Sequence, residues 1–258
     1  MGFEHNENES KGFVENKIEG RNAVLEAFRS GKTIDKLFVL DGCQDGPVKS
    51  ITREARKGDT IINYVTKERL DQISETGKHQ GVIAISAAYD YAEVEDILAN
   101  AEKKGEAPFI IILDGIEDPH NLGAIIRTAN QAGAHGIIIP KRRAVGLTPT
   151  VARTSAGAIN YTPVAKVINI SQTIKELKDR GMWFVCADMD GTPMYDLNLT
   201  GSIGLVIGNE GDGVSKLVKE NCDMIATIPM KGDIDSLNAS VATGVLAYEI
   251  VRQRLGKK

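Results

Sequence analysis

The sequence is poor in the residues that several large functional classes need. It has three cysteines, four histidines and one tryptophan among 258 residues. Cys43, Cys186 and Cys222 lie far apart and form no C-x-x-C pair, so a disulfide framework is not expected. His79, His120 and His135 stand in three separate contexts, which disfavours a hydrolase built on histidine. There is no H-E-x-x-H, no G-x-S-x-G and no Cys/His cluster with zinc spacing, so no metal is expected. The phosphate loop G-x-x-x-x-G-K-[ST] is missing too. Gly208, Gly211 and Gly213 do not have the G-x-G-x-x-G spacing of a dinucleotide site. Long apolar runs are absent: segments such as Phe109–Leu113 are strand-sized, far short of the ~20 residues of a membrane span. The opening MGFEHNENES is polar and acidic and does not read as a signal peptide, so a cytoplasmic location is expected. A net charge of −4 excludes a globally basic nucleic-acid binder, though not a local basic patch.

What is present is an ordinary globular composition, 42% hydrophobic and 26% charged. Residues 1–15 are polar and predict a disordered tail. From 16 to 88, helical patterns at 22–29, 48–57 and 67–75 alternate with strand patterns at 36–40, 60–65 and 81–86, an α/β unit. A stretch without clear period near 87–92 reads as a linker. A second α/β unit fills 89–258, opening with a helix at 94–103. Its apolar runs at 109–113, 136–139, 183–187, 203–207 and 224–228 lack polar alternation, as strands buried on both faces of a parallel sheet do. Helical patterns lie at 122–132, 171–180 and 237–254. In the last, Leu237, Val241, Val245, Tyr248, Val251 and Leu255 recur at spacings of three and four and predict one apolar stripe. Charges are segregated: from Pro119 to Lys175 there is no acid, while Arg127, Lys141, Arg142, Arg143, Arg153, Lys166 and Lys175 occur. That window is either a solvated face or a phosphate-binding surface.

Three segments stand at strand ends. Asp118-Pro119-His120-Asn121-Leu122-Gly123-Ala124-Ile125-Ile126-Arg127 leaves a strand and enters a helix, with Arg127 off the apolar stripe. Gly208-Asn209-Glu210-Gly211-Asp212-Gly213 follows a buried strand. Ile228-Pro229-Met230-Lys231-Gly232 leads to Ser236-Leu237-Asn238-Ala239-Ser240, a strand end followed by a helix start. Each alone reads equally as a capped helix or a tight turn. Together they converge, because ligands of open α/β sheets bind beyond the carboxyl ends of the strands.

In this order the three segments resemble the motifs of the SpoU (TrmH-like) branch of the SPOUT methyltransferases. Gly20-Arg21-Asn22-Ala23-Val24-Leu25 and His79-Gln80-Gly81 resemble the small RNA-binding domain attached to many of these enzymes. The resemblance implies a knotted α/β catalytic domain behind a smaller N-terminal α/β RNA-binding domain. It implies S-adenosylmethionine as cofactor, contacted by Gly208, Ile228 and Leu237, and a reacting centre of Asn121, Arg127, Glu210 and Asn238. Arg127 would hold a phosphate or nascent alkoxide, Glu210 is the anionic candidate for the proton, and the asparagines would fix geometry. RNA contacts are expected from Arg21, Lys141, Arg142, Arg143 and Arg153. The implied reaction is 2′-O-methylation of a guanosine in large-subunit ribosomal RNA by a homodimer. Transfer RNA, another ribosomal site, or a non-catalytic RNA-binding protein on the same fold are the alternatives.

Overall fold

The computed structural model describes residues 16–233 and 236–256; the tail expected at 1–15 lies outside them. Two sheets organise the chain. The first is built from β1 (Asn16–Glu19), β2 (Ile34–Leu40), β3 (Ile61–Val65) and β4 (Val82–Ser86), with α1 (Arg21–Arg29), α2 (Gly46–Lys57) and α3 (Lys67–Ile73) between them. Its order is β1-β4-β2-β3; β4 runs antiparallel to both neighbours, and β2 and β3 are parallel. Val24 and Ala27 of α1 and Val48, Ile51 and Ala55 of α2 pack on Leu37, Val39, Val82 and Ala84. Asp45 and Thr66 cap α2 and α3 by accepting from Val48 N and Arg69 N, which sets where each helix starts.

The second sheet is wholly parallel, in the order β10-β8-β9-β5-β6-β7. Its strands are β5 (Phe109–Asp114), β6 (Gly136–Pro140), β7 (Val164–Val167), β8 (Trp183–Pro193), β9 (Ile203–Gly208) and β10 (Met224–Thr227). The helices are α4 (Val94–Lys104), α5 (Pro119–Gln131), α6 (Pro149–Thr154), α7 (Ile170–Asp179), α8 (Lys216–Asn221) and α9 (Ala239–Leu255). The run Phe-Ile-Ile-Ile-Leu of β5 shows why no polar alternation occurs. Phe109, Ile111 and Leu113 face one apolar layer with α5, α6 and α9, while Ile110 and Ile112 face the other with α4, α7 and α8. Successive side chains of a strand take opposite faces, so a strand covered on both sides must be apolar throughout.

Several elements depart from expectation. β1 was not expected: its Asn-Lys-Ile-Glu is too polar to signal a strand, and pairing with β4 makes it one. β7, α6 and α8 were also unforeseen. β7 carries Lys166, α6 opens on Thr-Pro, and α8 is half charged, so none shows an apolar period. In α9 the predicted stripe is split: Val245 and Val251 pack against the core, Leu237 precedes the helix, and the other three residues face outward. Val241, Tyr248 and Leu255 are exposed, and Ala239, Thr243, Leu246, Ala247 and Ile250 are buried. The helix is apolar nearly all round, so spacing alone could not choose its inner face.

The stretch expected as a linker is pinned to both units. Ala87 N donates to Thr33 O, Ala88 N to Leu147 O and Ala92 N to Val164 O. Tyr91 is partly buried among Asp35 of β2, Lys166 of β7 and the turn before α6. Its hydroxyl donates to Asp35 at 3.0 Å and accepts from Leu147 N at 3.0 Å, and Lys166 Nζ meets Asp35 Oδ1 at 2.5 Å. Burial, then the neighbouring Asp35, pushes the Tyr91 hydroxyl well above its usual pKa, so it stays a proton donor.

Candidate active site at the strand ends

β5, β9 and β10 end on the same edge of the parallel sheet, and the three sequence segments begin there. After β5, Gly115 turns with φ 86, and Asp118 caps α5 by accepting from His120 N at 2.8 Å. That start places Asn121 on the first turn of α5, buried to 8% exposure. After β9, the loop of 209–213 folds on itself: Asn209 Oδ1 accepts from Gly211 N and Asp212 N, at 2.9 and 2.6 Å. A Cβ on Gly208 would fall 2.0 Å from the carbonyl carbon of Gly213, so only glycine fits that return. Ser215 N donates to Asp114 Oδ2 at 2.8 Å and ties the loop to the end of β5.

Asn238 joins the third segment to the other two. Its Oδ1 accepts from Ser240 N at 3.0 Å and Val241 N at 3.4 Å, which starts α9. Its Nδ2 donates to Asn121 Oδ1 at 3.0 Å and to Glu210 Oε1. Asn121 Nδ2 donates to the same Oε1 at 2.9 Å, and Ala239 N reaches it at 3.4 Å. Residues 89 and 117 positions apart in sequence thus form one polar cluster. One carboxylate oxygen of Glu210 gathers three N–H groups, and Oε2 has no partner among the described residues.

A cleft of about 450 Å³ opens beside this cluster, lined by Asn121, Arg142, Arg143 and Glu210 among others. Asp114, Glu117, Asp118 and Asp212 also line it. The window that lacks acids in sequence is therefore not a continuous basic surface in space. Lys141 meets Asp59 of the first unit at 3.7 Å, and Lys166 is consumed by Asp35. Burial, only partly offset by Asp35, lowers the pKa of Lys166. Arg153 is exposed on α6. Arg21 is tied within its own unit, to Asp45 at 2.7 Å and to the Gln80 carbonyl at 3.0 Å.

Arg127 stands apart from the other three reacting-centre residues. It is exposed, makes no hydrogen bond or ion pair among the described residues, and does not line the cleft. Six residues of helix separate it from Asn121, about 9 Å along the axis and about 240° around it. The expected cofactor contacts are placed compatibly with a partly apolar ligand. Ile228 and Leu237 are half-buried, and Gly232 between them has open space where a Cβ would sit. Apolar walls and exposed backbone at strand ends are what a bent nucleoside with a charged sulfonium fits; no group of three or more His, Cys, Asp or Glu among the described residues could hold a metal.

Comparison with known proteins gives this geometry a family. Residues 108–248 match the model of the SpoU rRNA Methylase family, and residues 17–92 match that of the RNA 2′-O ribose methyltransferase substrate-binding domain. The TrmH family tRNA/rRNA methyltransferase YacO of Bacillus subtilis is 49% identical over 91% of this chain and 94% of its own. The solved AdoMet-bound rRNA methyltransferase of Sinorhizobium meliloti is similar with a TM-score of 0.58 and 25% identity, over 92% of this chain and 86% of that one. The TrmH/SpoU tRNA-modifying enzyme of A. aeolicus has a TM-score of 0.54 and 31% identity, over 59% of this chain and 78% of that one. The chain belongs to the SpoU (TrmH-like) family of S-adenosylmethionine-dependent RNA methyltransferases, with the SPOUT-type α/β catalytic domain behind a substrate-binding domain.

Proposed function

We propose that the protein methylates the ribose 2′-oxygen of a guanosine in large-subunit ribosomal RNA, in the cytoplasm and as a homodimer. The observation that carries the 2′-O reading is the carboxylate of Glu210, fixed through Oε1 by three N–H groups, with no partner on Oε2 among the described residues. A ribose hydroxyl is a weak acid and must lose its proton as the new O–C bond forms. When bound, S-adenosylmethionine supplies the electrophilic methyl group. Gly208, Ile228 and Leu237 would hold it. Oε2 of Glu210 accepts the hydroxyl proton, and Asn121 and Asn238 keep the carboxylate from turning away. Arg127 does not act as a base, since a guanidinium keeps its proton. It grips the target phosphate or the forming alkoxide instead.

Arg127 faces away from Asn121 on the same helix, so one subunit alone does not close the centre. α9 lies against α5, with Gly244 opposite Thr128, and turns the exposed Val241, Tyr248 and Leu255 outward. An apolar helix face beside an arginine with no ion pair among the described residues supports a dimer that brings Arg127 to a site at the interface. Ribosomal over transfer RNA is supported by extent. The likeness to the S. meliloti rRNA enzyme runs over 92% of the chain, that to the tRNA-modifying enzyme over 59%. The guanosine rests on the sequence resemblance.

The test is single-turnover transfer of labelled methyl to ribosomal RNA beside calorimetric titration of the cofactor. Glu210→Gln should lower the transfer rate by at least about 100-fold, with cofactor affinity near normal. Arg127→Lys keeps the charge but loses the planar fork, and should cost at least about tenfold. Full activity in Glu210→Gln removes it as proton acceptor; full activity in Arg127→Ala removes Arg127 from the mechanism. A map of 2′-O-methyl sites in a strain lacking the protein decides the substrate: loss at a transfer-RNA position with ribosomal RNA unchanged overturns the ribosomal assignment.

A further inference from the structure

The first unit carries a groove that none of the expected RNA contacts lines. It measures about 920 Å³ and runs between α2, the loop after β2 and the edge strand β3. Lys49, Arg53, Arg56 and Lys57 line it from α2, and Tyr64 lines it from β3. Spacings of four and three place Lys49, Arg53 and Arg56 on one side of the helix, spanning about 10 Å along its axis. Val48 and Thr52 form the buried floor. Asp41 lines the groove, with Asp45 and Glu54 of the α2 cap and helix beside it; Asp45 is paired with Arg21 at 2.7 Å. Asp41 accepts from Gly42 N, and Glu54 is engaged by Lys57 at 2.9 Å and Arg53 at 3.6 Å. Lys49 and Arg56 are left without an ion pair among the described residues. Through residue 104 acids outnumber bases, 19 to 15, yet α2 has four bases and one acid. The positive charge is therefore concentrated on this face against the trend of its surroundings.

Tyr64 supplies the second, independent observation. The residue is 52% exposed on an edge strand, where an aromatic has no packing reason to stay uncovered. An open aromatic ring among unpaired cations is the arrangement that binds single-stranded nucleic acid: cations follow the phosphates and the ring stacks a base.

We propose that this groove binds a single-stranded stretch of the RNA substrate, with phosphates on Lys49 and Arg56 and one unpaired base stacked on Tyr64. An acidic protein segment would satisfy the cations but leaves the exposed ring unexplained. The inference rests on the RNA methyltransferase reading and adds where the substrate is gripped outside the catalytic cleft. The base cannot be paired while it stacks on Tyr64, so a loop or bulge is recognised rather than a continuous duplex.

The experiment is filter binding of transcribed large-subunit ribosomal RNA by the full chain across a salt series, with cofactor titration as the control for folding. Replacing both Lys49 and Arg56 by Ala should weaken binding and reduce the salt slope by about 1.4, near 0.7 per single-strand phosphate contact. Tyr64→Ala should weaken binding at least about fivefold, and Tyr64→Phe should restore it, because stacking needs the ring and not the hydroxyl. Cofactor affinity should stay unchanged in all three. Unchanged affinity and slope in the double variant overturn the proposal, as does a Phe variant as weak as the Ala variant. Retained binding to naked RNA with lost binding to ribosomal particles also overturns it, in favour of an acidic protein partner. If the unaltered chain binds no RNA, the broader reading fails first and takes the groove with it.

Discussion

Single atoms decide much at the strand-end cluster. Asn238 divides its amide between two tasks: the oxygen caps α9 and the nitrogen holds Asn121 and Glu210. Asn238→Asp separates them. Aspartate caps as well as asparagine, so thermal stability should change little. A second carboxylate then stands beside Glu210 where a donor stood, and like charges resist ionising together. Methyl transfer should fall at least about tenfold and recover partly as pH rises through the pair's shared titration. Stability and activity both unchanged would instead mark Asn238 as a cap only. Gly208→Ala should have the opposite profile: its Cβ cannot coexist with the Gly213 carbonyl, so the loop must open. Cofactor affinity and melting temperature should drop together. The segments that carry Asn121, Glu210 and Asn238 stood out in the sequence because each follows an apolar strand; the choice of these residues within them came from the family resemblance. The separate position of Arg127 was not readable there, since a helix offset needs a helix start. The pairing of Lys141 and Lys166 was equally hidden, because Asp59 and Asp35 come from the other unit.

Among the elements, buried strands were the most readable, because burial on both faces writes an unbroken apolar run. Short or polar elements such as β1 and β7 owe their form to neighbours and left no local signal. β1 ends in Glu19, which clamps residues 74–76. Its carboxylate accepts from Ser74 Oγ at 2.6 Å, Thr76 Oγ1 at 2.5 Å and Glu75 N at 2.6 Å. Partial burial alone would raise its pKa, and these hydrogen bonds outweigh that and bring it down to about 2. A carboxyl lowered on folding stabilises above its unfolded value of 4.5, and that contribution is lost as pH falls towards 2. Glu19→Gln should therefore flatten the acid limb of the stability curve between those values, followed by circular dichroism; an unchanged limb would place the acid sensitivity elsewhere. The outward-facing residues of α9 make a second prediction. Sedimentation should find twice the chain mass of 27.9 kDa at micromolar concentration, and Tyr248→Lys with Val241→Lys should give the monomer and abolish transfer. A unaltered chain that sediments as a monomer would reject the dimer.

Over the whole molecule, the two α/β units meet through polar contacts around Tyr91 and through Lys141 and Asp59. Asp35 comes from β2, Lys166 from β7, and Lys166 Nζ also lies 4.6 Å from the centre of the Tyr91 ring. Gly146 closes the back: a Cβ there would stand 2.2 Å from Asp35 Oδ2. Taking away one member of a buried charge pair leaves the other unpaired, at a cost of about 3–5 kcal/mol. Tyr91→Phe is milder, since it removes the hydroxyl and leaves the ion pair. These contacts link the unit that bears the groove to the unit that bears the cleft. They have a further consequence for how the protein comes apart. Two bodies joined by a free tether melt one after the other, and their heat uptake shows two peaks. Bodies sharing a buried charge cannot part without exposing it, and so melt as one cooperative unit. A scan of the unaltered chain should show a single peak, and Asp35→Asn should split it, the first unit melting below the second.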